Sequence, residues 1–92
     1  MKIIWSALAK EYYIFIIEQL FEKWNIEIVE LFENETIELI HRIKNHNAIC
    51  PKSKIMNLHK CVINEHISLI YRIQEGKIEI ITFVFNESEH LY

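Results

Sequence analysis

The chain has little of what flexible or cross-linked proteins are built from. Its 92 residues include one glycine, one proline and two cysteines. So few glycines and prolines argue against a linker, and a chain of this length is enough for one compact domain and too short for two. We therefore expect residues 1–92 to form a single domain. The two cysteines, Cys50 and Cys61, provide no disulfide framework, and we expect both to be free, buried thiols.

Long apolar segments are also absent. The longest uninterrupted apolar run, Tyr12 to Ile17, has a glutamate on each side. It is far shorter than the roughly 20 residues that a transmembrane helix requires. The segment Met1 to Trp5 is too short for a secretory signal peptide. These features predict a cytoplasmic protein that does not bind membranes.

Positive charge is scarce in the first half of the chain. Residues 1–40 hold three lysines against eight glutamates, a balance of −5, whereas residues 41–92 hold seven lysines and arginines against five glutamates, a balance of +2. Proteins that grip nucleic acid through its phosphates carry a much stronger positive stripe. Direct, general binding of nucleic acid is therefore not expected.

Motifs for metal or cofactor binding are missing as well. The sequence contains no Cys-x-x-Cys and no His-Glu-x-x-His, and its single glycine cannot build a glycine-rich phosphate loop. Cys61, near His59 and His66, has the residue types of a thiolate–imidazole pair, but a cysteine among apolar strand residues is far more often structural. The sequence predicts neither a metal site nor a cofactor.

The hydrophobic pattern predicts the element order β-α-α-β-β-β. Ser6 is placed to cap a first helix after a short β-rich run, Asn25 to cap a second, and Pro51 prevents the second from continuing. Beyond residue 54 the period changes from 3.6 to 2, which indicates strands. The predicted helix one spans residues 7–23, and the predicted later strands span 58–63, 67–73 and 78–85. The expected fold is α+β: a small, mainly antiparallel sheet with a helical hairpin packed on one face.

Two of these elements allow more detailed expectations. Helix one is expected to bury one stripe: Ala9, Tyr13, Ile16, Leu20 and Trp24. The last strand is apolar on both sides, which indicates a central strand that is covered at least partly on both faces. One face is expected to hold Ile78, Ile80 and Val84, and the other Ile81, Phe83 and Phe85.

Several stretches resemble the RelE/ParE superfamily of bacterial toxins. They are Ile4-Trp5-Ser6 with Ala9, the acidic helix pair, Pro51, the run Val62-Ile63-Asn64-Glu65-His66-Ile67-Ser68-Leu69-Ile70-Tyr71-Arg72-Ile73, and the final strand from Ile78 to Asn86. The resemblance covers nearly the whole chain. It implies the toxin of a type II toxin–antitoxin pair, a growth inhibitor of the plasmid-stabilisation kind that a cognate antitoxin neutralises. Relatives poison DNA gyrase or cut messenger RNA on the ribosome, and the resemblance leaves this target open.

The ribonuclease alternative implies a set of candidate residues. Metal-free RNA cleavage requires a proton acceptor, cations around the phosphorus and a proton donor for the leaving oxygen. On the resemblance, the candidate catalytic residues are Lys52, Lys54, Lys60, Arg72 and His90, with Tyr92 available if the tail folds back. Glu87 stands where relatives often carry Arg, and a carboxylate there opposes the transition state.

Each candidate has an ordinary structural reading beside the catalytic one. Isolated lysines such as Lys52 most often belong to a solvated surface. Arg72 is placed to pair with Glu79 across the hairpin. Neither reading excludes the other at the level of the sequence.

Helix one has more apolar residues than one buried stripe needs. Ile14, Phe15 and Phe21 either extend the core or form the surface that an antitoxin segment covers, by helix-in-groove binding or strand addition. Two further interpretations stay open: a catalytically inactive remnant of the toxin fold, and an unrelated small protein-interaction module.

Overall fold

The computed structural model describes residues 1–87 and 91–92. The candidate catalytic residue His90 lies outside the described residues. The elements follow the predicted order, with boundaries within about two residues of the predicted ones. They are β1 (Lys2–Trp5), α1 (Ala7–Lys23), α2 (Ile26–Asn45), β2 (His59–Val62), β3 (Ile67–Gln74) and β4 (Lys77–Phe85).

Both helices begin at the predicted capping residues. The Ser6 hydroxyl accepts a hydrogen bond from the Ala9 amide (2.9 Å) and donates one to the Ile81 carbonyl (2.6 Å). Asn25 Oδ1 accepts from the Ile28 amide at 3.1 Å. Each cap satisfies an amide that would otherwise have no partner in the first helical turn. Ser6 therefore also ties the start of α1 to β4.

The four strands form one sheet in the order β1-β4-β3-β2. β1 runs parallel to β4, and the pairs β2–β3 and β3–β4 are antiparallel. β4 therefore lies between two neighbours, as its apolar residues predict. The sheet is mainly antiparallel, with the helical hairpin on one face, and the expected fold is confirmed.

A β-bulge in β4 changes which side chains reach the core. Consecutive residues of β3 pair with Ile80 and Thr82, so Ile81 is an extra residue in β4. The bulge reverses the alternation of side chains beyond it. Phe83 and Phe85 therefore lie on the same side as Ile80, in the core beneath the helices. The expectation that these phenylalanines face away from Ile80 is wrong.

Aromatic rings fill the space between the hairpin and the sheet. The Tyr13 ring lies 5.2 Å from that of Trp5 and 5.4 Å from those of Phe32 and Phe83, between ring centroids. Trp24, expected in the same stripe, is 66 % exposed. α1 ends one residue earlier, and Trp24 caps it with its amide on the Leu20 carbonyl at 2.9 Å, so its side chain leaves the helical face.

The cysteines do not match the expectation of free thiols. Cys50 and Cys61 form a disulfide, with their Cα atoms 5.3 Å apart. The chain folds back after α2, and the Lys60 amide donates to the Pro51 carbonyl at 3.0 Å. This return sets residues 50 and 61 opposite each other, within the Cα separation that a disulfide requires.

Neither helix in the described part of the chain is both long and apolar enough to cross a membrane.

Candidate functional site

The loop between α2 and β2, residues 46–58, forms a small cleft at one end of the sheet. Lys52 pairs with His59 as an isolated antiparallel bridge, and the Ser53 amide donates to the Leu58 carbonyl at 2.8 Å. Asn57 closes the turn at φ 67°, a left-handed conformation that asparagine tolerates better than most residues. The cleft has a volume of about 220 Å³ and is lined by Lys52, Ser53, Ile55, Met56, Asn57, His59 and Ile73.

His59 is a lining residue whose ring is held in a fixed orientation. Its Nδ1 donates to the Cys50 carbonyl at 2.9 Å. Because a carbonyl oxygen can only accept, Nδ1 carries a proton, and in the neutral tautomer of the ring Nε2 is then the acceptor. The ring stacks on Tyr71 with centroids 5.0 Å apart and an interplanar angle of 13°. The sequence pattern did not predict this fixed, half-buried position.

Tyr71 anchors the back of the site. Its hydroxyl donates to the Asn47 carbonyl at 2.6 Å, which joins the end of α2 to β3. Burial raises the pKa of this hydroxyl above its ordinary value of 10.0, and a backbone hydrogen bond from Cys50 acts in the opposite direction. Tyr71 therefore stays protonated at neutral pH and has its proton committed to a structural bond.

The candidate lysines lie on two surfaces. Lys52 and Lys54 belong to the α2–β2 loop and are exposed. Lys60 is half-buried in β2 and, being next to the core residue Cys61, points to the opposite face of the sheet. The carbonyl of Tyr92 accepts from the Lys54 amide (3.2 Å) and from the Ser53 hydroxyl (3.0 Å). The main chain at Tyr92 therefore contacts this loop.

Arg72 forms the predicted pair across the β3–β4 hairpin. Its Nε and Nη2 donate to Glu79 Oε1 at 2.9 and 2.7 Å. The two residues face each other in the strand register. The charge of the guanidinium is thus compensated by a carboxylate, which reduces what Arg72 can offer to a phosphate.

The end of β4 carries a carboxylate, as the sequence indicates. Glu87 Oε1 lies 3.5 Å from His66 Nδ1, and both side chains are largely exposed. Asn86 holds this end in place by donating through Nδ2 to the carbonyls of Asn64 (3.2 Å) and Glu65 (3.1 Å). The sequence interpretation gave Asn86 no role beyond the resemblance. Its only signal was an amide directly after a strand.

Comparison with known proteins decides the fold. No protein-family model matches the chain, and no curated protein matches it by sequence. Solved structures do match over nearly the full length. The chromosomal ParDE TA system from P. aeruginosa gives a TM-score of 0.79 at 14% identity, with 92% of this chain and 95% of that chain covered. The YoeB/ParE toxin from Agrobacterium tumefaciens gives 0.65 at 17% identity, with 94% and 99% covered.

A YoeB dimer from Staphylococcus aureus gives a TM-score of 0.63 at 20% identity, with 89% of this chain and 92% of that chain covered. The chain has the RelE/ParE toxin fold.

The candidate residues lie in two places within that fold. The α2–β2 loop brings together Lys52, His59 and the carbonyl of Tyr92, whereas Arg72 lies in the β3–β4 hairpin. The candidate cations are therefore not all brought to one point.

The exposed side of α1 is the second candidate site in this RelE/ParE fold. Ile14, Phe15 and Phe21 are 58 %, 45 % and 58 % exposed, so they are not core residues. They do not form one patch. Phe15 packs edge-on against Tyr12 and Phe85, with centroids 6.5 and 6.4 Å apart. Helical spacing puts Ile14 and Phe21 in a separate row, because they are seven residues apart.

Proposed function

We propose that this protein is a growth-inhibiting toxin that a small protein partner neutralises. The observation that carries the proposal is the extent of the structural match, which spans 92% of this chain and 95% of the P. aeruginosa ParDE chain. A separate domain or a large insertion, either of which would suggest another activity, is absent from the described residues. The exposed apolar residues of α1, which lie in two rows along the helix, support the partner, because exposed apolar surface favours binding to another protein.

We further propose that the toxin inhibits by binding a protein target, with DNA gyrase as the first candidate. Cleavage of RNA needs cations free to meet the charge of the transition state. Arg72 is paired with Glu79, and the end of β4 carries Glu87 in place of a cation. Inhibition by surface contact requires no such constellation.

Ribosome-dependent RNA cleavage is the second candidate, and one observation favours it. The cleft combines Lys52 with His59, whose Nε2 is a proton acceptor in the neutral ring. A proton acceptor beside a cation is the minimum that general-base cleavage requires.

Controlled expression in bacteria tests the proposed function. We expect growth arrest that is relieved when the protein encoded beside this chain is expressed with it. Pulse labelling should show DNA synthesis stopping before protein synthesis. Normal growth with folded, soluble protein would contradict the toxin proposal and favour an inactive remnant or an unrelated interaction module.

The same assay separates the two targets. Lys52→Ala and His59→Gln should leave the arrest unchanged if the toxin binds gyrase, and should abolish it if the toxin cleaves RNA. Lys77→Ala, an exposed lysine at the start of β4, is the matched control. If protein synthesis stops before DNA synthesis and Glu87→Arg strengthens the arrest, the toxin cleaves RNA. Gyrase would then be excluded as the target.

A further inference from the structure

The outer side of α1 is built of three parallel rows. Glu11, Glu18 and Glu22 follow one another at seven- and four-residue steps, so they form one row along the helix. All three are exposed. Within residues 1–87 and 91–92, none of the ion pairs involves any of them. The middle of this surface is therefore a line of carboxylates without cationic partners.

Apolar rows lie on both sides of the glutamates. At about 100° per residue, one row lies roughly 40–100° from the glutamate row, and the other lies roughly 60–80° from it in the opposite direction. The first row contains Leu8, Tyr12 and Phe15, and the second contains Ile14 and Phe21. Each of these side chains is at least 42 % exposed. In a folded monomer, five such side chains on one helix form a surface that favours a partner.

The arrangement dictates the chemistry of that partner. A segment that covers both apolar rows also covers the glutamates between them and removes them from water. Burying a carboxylate is costly unless a cation or several donors meet it. The partner must therefore carry lysines or arginines along its own middle line, and arginine suits the task because it binds a carboxylate with two parallel hydrogen bonds.

Other occupants fit the surface poorly. In a symmetric pair of copies joined through α1, the row of glutamates would face an identical row, and like charges repel. An anionic membrane surface meets the same objection. A helix fits the length and straightness of the surface, because α1 has 17 residues and helices pack side by side over such distances.

We propose that α1 binds an amphipathic helix whose apolar face is divided by a row of arginines or lysines. This inference deepens the proposed function, because it names the chemistry of the neutralising segment, and it rests on that function for the biological role of the contact. The contact itself can be tested without any growth assay. A basic neutralising segment is expected here because residues 1–40 carry a balance of −5.

Binding of two synthetic helices by the full chain tests the inference. The first peptide has the length of α1 and carries leucines on one face. Its three arginines are spaced to meet Glu22, Glu18 and Glu11, in that order, when the peptide lies antiparallel to α1. The second differs only in having glutamates for arginines. Trp24 is exposed and directly follows α1, so its fluorescence reports binding. We expect the arginine peptide to bind at least about tenfold more tightly, with an advantage that falls as salt is raised.

Two triple variants of equal charge locate the effect. In Glu11→Gln/Glu18→Gln/Glu22→Gln, the preference for the arginine peptide should disappear. In the control Glu27→Gln/Glu30→Gln/Glu38→Gln, which removes three exposed glutamates of α2, it should remain. Binding of neither peptide, equal binding of both, or an equal loss in both variants would overturn the inference.

If the chain arrests growth but shows no preference for the arginine peptide, the proposal of a basic partner helix is overturned and the proposed toxin function stands. If the chain prefers the arginine peptide but does not arrest growth, the toxin function is overturned and the basic partner helix stands. The two proposals therefore fail separately.

Discussion

Tyr13 shows how one side chain can make the whole fold sensitive to pH. Its ring lies among Trp5, Phe32 and Phe83, and its hydroxyl lies near Glu33. Burial, and secondly the negative charge of Glu33, raise the pKa of Tyr13 to about 12 from an ordinary 10.0. Both effects oppose the same event, the appearance of a phenolate in the core.

Stability should therefore fall as pH rises from about 10 to about 12. In this range the unfolded chain releases the Tyr13 proton before the folded chain does, so unfolding is favoured as pH increases. Tyr13→Phe removes the ionisable group. We expect the free energy of unfolding of this variant, measured in urea at a series of alkaline pH values, to decline less steeply, by up to about 1.4 kcal/mol per pH unit.

Tyr71 also has a raised pKa and should account for part of the slope that remains. Identical slopes in the Tyr13→Phe variant and the unchanged protein would contradict the assignment to Tyr13.

Single-residue predictions from the sequence were accurate where the cause is local. Ser6 and Asn25 cap the helices because their side chains reach amides only three residues away. Arg72 pairs with Glu79 because hairpin register sets them opposite each other. The exposure of Trp24 and the position of His59 depend instead on where a helix stops and how a loop returns, and no local pattern encodes either.

At the scale of elements, the two helix caps differ in what they hold. Asn25 makes a single exposed capping bond, whereas Ser6 caps α1 and also donates to the Ile81 carbonyl at the β4 bulge. Ser6 therefore connects a helix to the central strand. The loss of its hydroxyl leaves a part-buried carbonyl without this donor.

We expect Ser6→Ala to lower the free energy of unfolding by roughly 2–3 kcal/mol, because a cap and a part-buried acceptor are both affected. Asn25→Ala is the matched control and should cost about 1 kcal/mol. Urea denaturation of both variants gives the comparison. Equal losses would mean that the bond from Ser6 to Ile81 adds nothing.

The disulfide makes the α2–β2 loop a closed ring. Cys50 and Cys61 are 11 positions apart and enclose Lys52, Lys54 and His59. Reduction should lower the free energy of unfolding by roughly 2–4 kcal/mol, the usual effect of opening a loop of this size. Urea denaturation with and without a thiol-free reductant measures it.

Cys50→Ser/Cys61→Ser should reproduce the reduced protein and no longer respond to reductant. A response of the double variant equal to that of the unchanged chain would show that the reductant acts elsewhere.

The elements themselves could be predicted because periodicity records them directly. The bulge at Ile81 could not, since β4 has no glycine or proline to mark it and its residues are apolar on both sides. A one-residue shift in such a strand exchanges one apolar set for another. The disulfide was missed for a related reason, because sequence spacing says nothing of how the chain returns from Pro51 to Lys60.

At the scale of the whole molecule, Phe83 joins the hairpin to the sheet. Its ring is fully buried and contacts the rings of Trp5, Tyr13 and Phe32. Phe83→Ala should lower the free energy of unfolding by about 3–5 kcal/mol, a large part of the margin of a domain this small. Phe21→Ala, an exposed phenylalanine of α1, is the control and should change it little.

Calorimetry of both variants provides the test. A small effect at Phe83 would mean that the core re-packs around the cavity, and would argue against a single rigid ring cluster.

The fold was predictable as a whole because pattern and resemblance agreed on it. The candidate sites were predictable only as sets of residues. Lys52 and His59 meet at the cleft because β2 turns back on its loop, while Ile14 and Phe15 separate because a helix sets them about 100° apart around its axis. The sequence indicated which residues belong to each candidate site, but only the tertiary structure shows how those residues are arranged.

The parallel pairing of β1 with β4 also determines how late in its synthesis the protein can complete its fold. Ser6 and Ile81, which bond to each other, are 75 positions apart. At about 5–20 residues per second, a ribosome needs roughly 4–15 s to make that interval. Until then the buried side of α1, with Ala9 and Ile16, has no sheet to cover it. For the proposed toxin, the folded state is therefore reached only after β4 has been made, at the end of this interval.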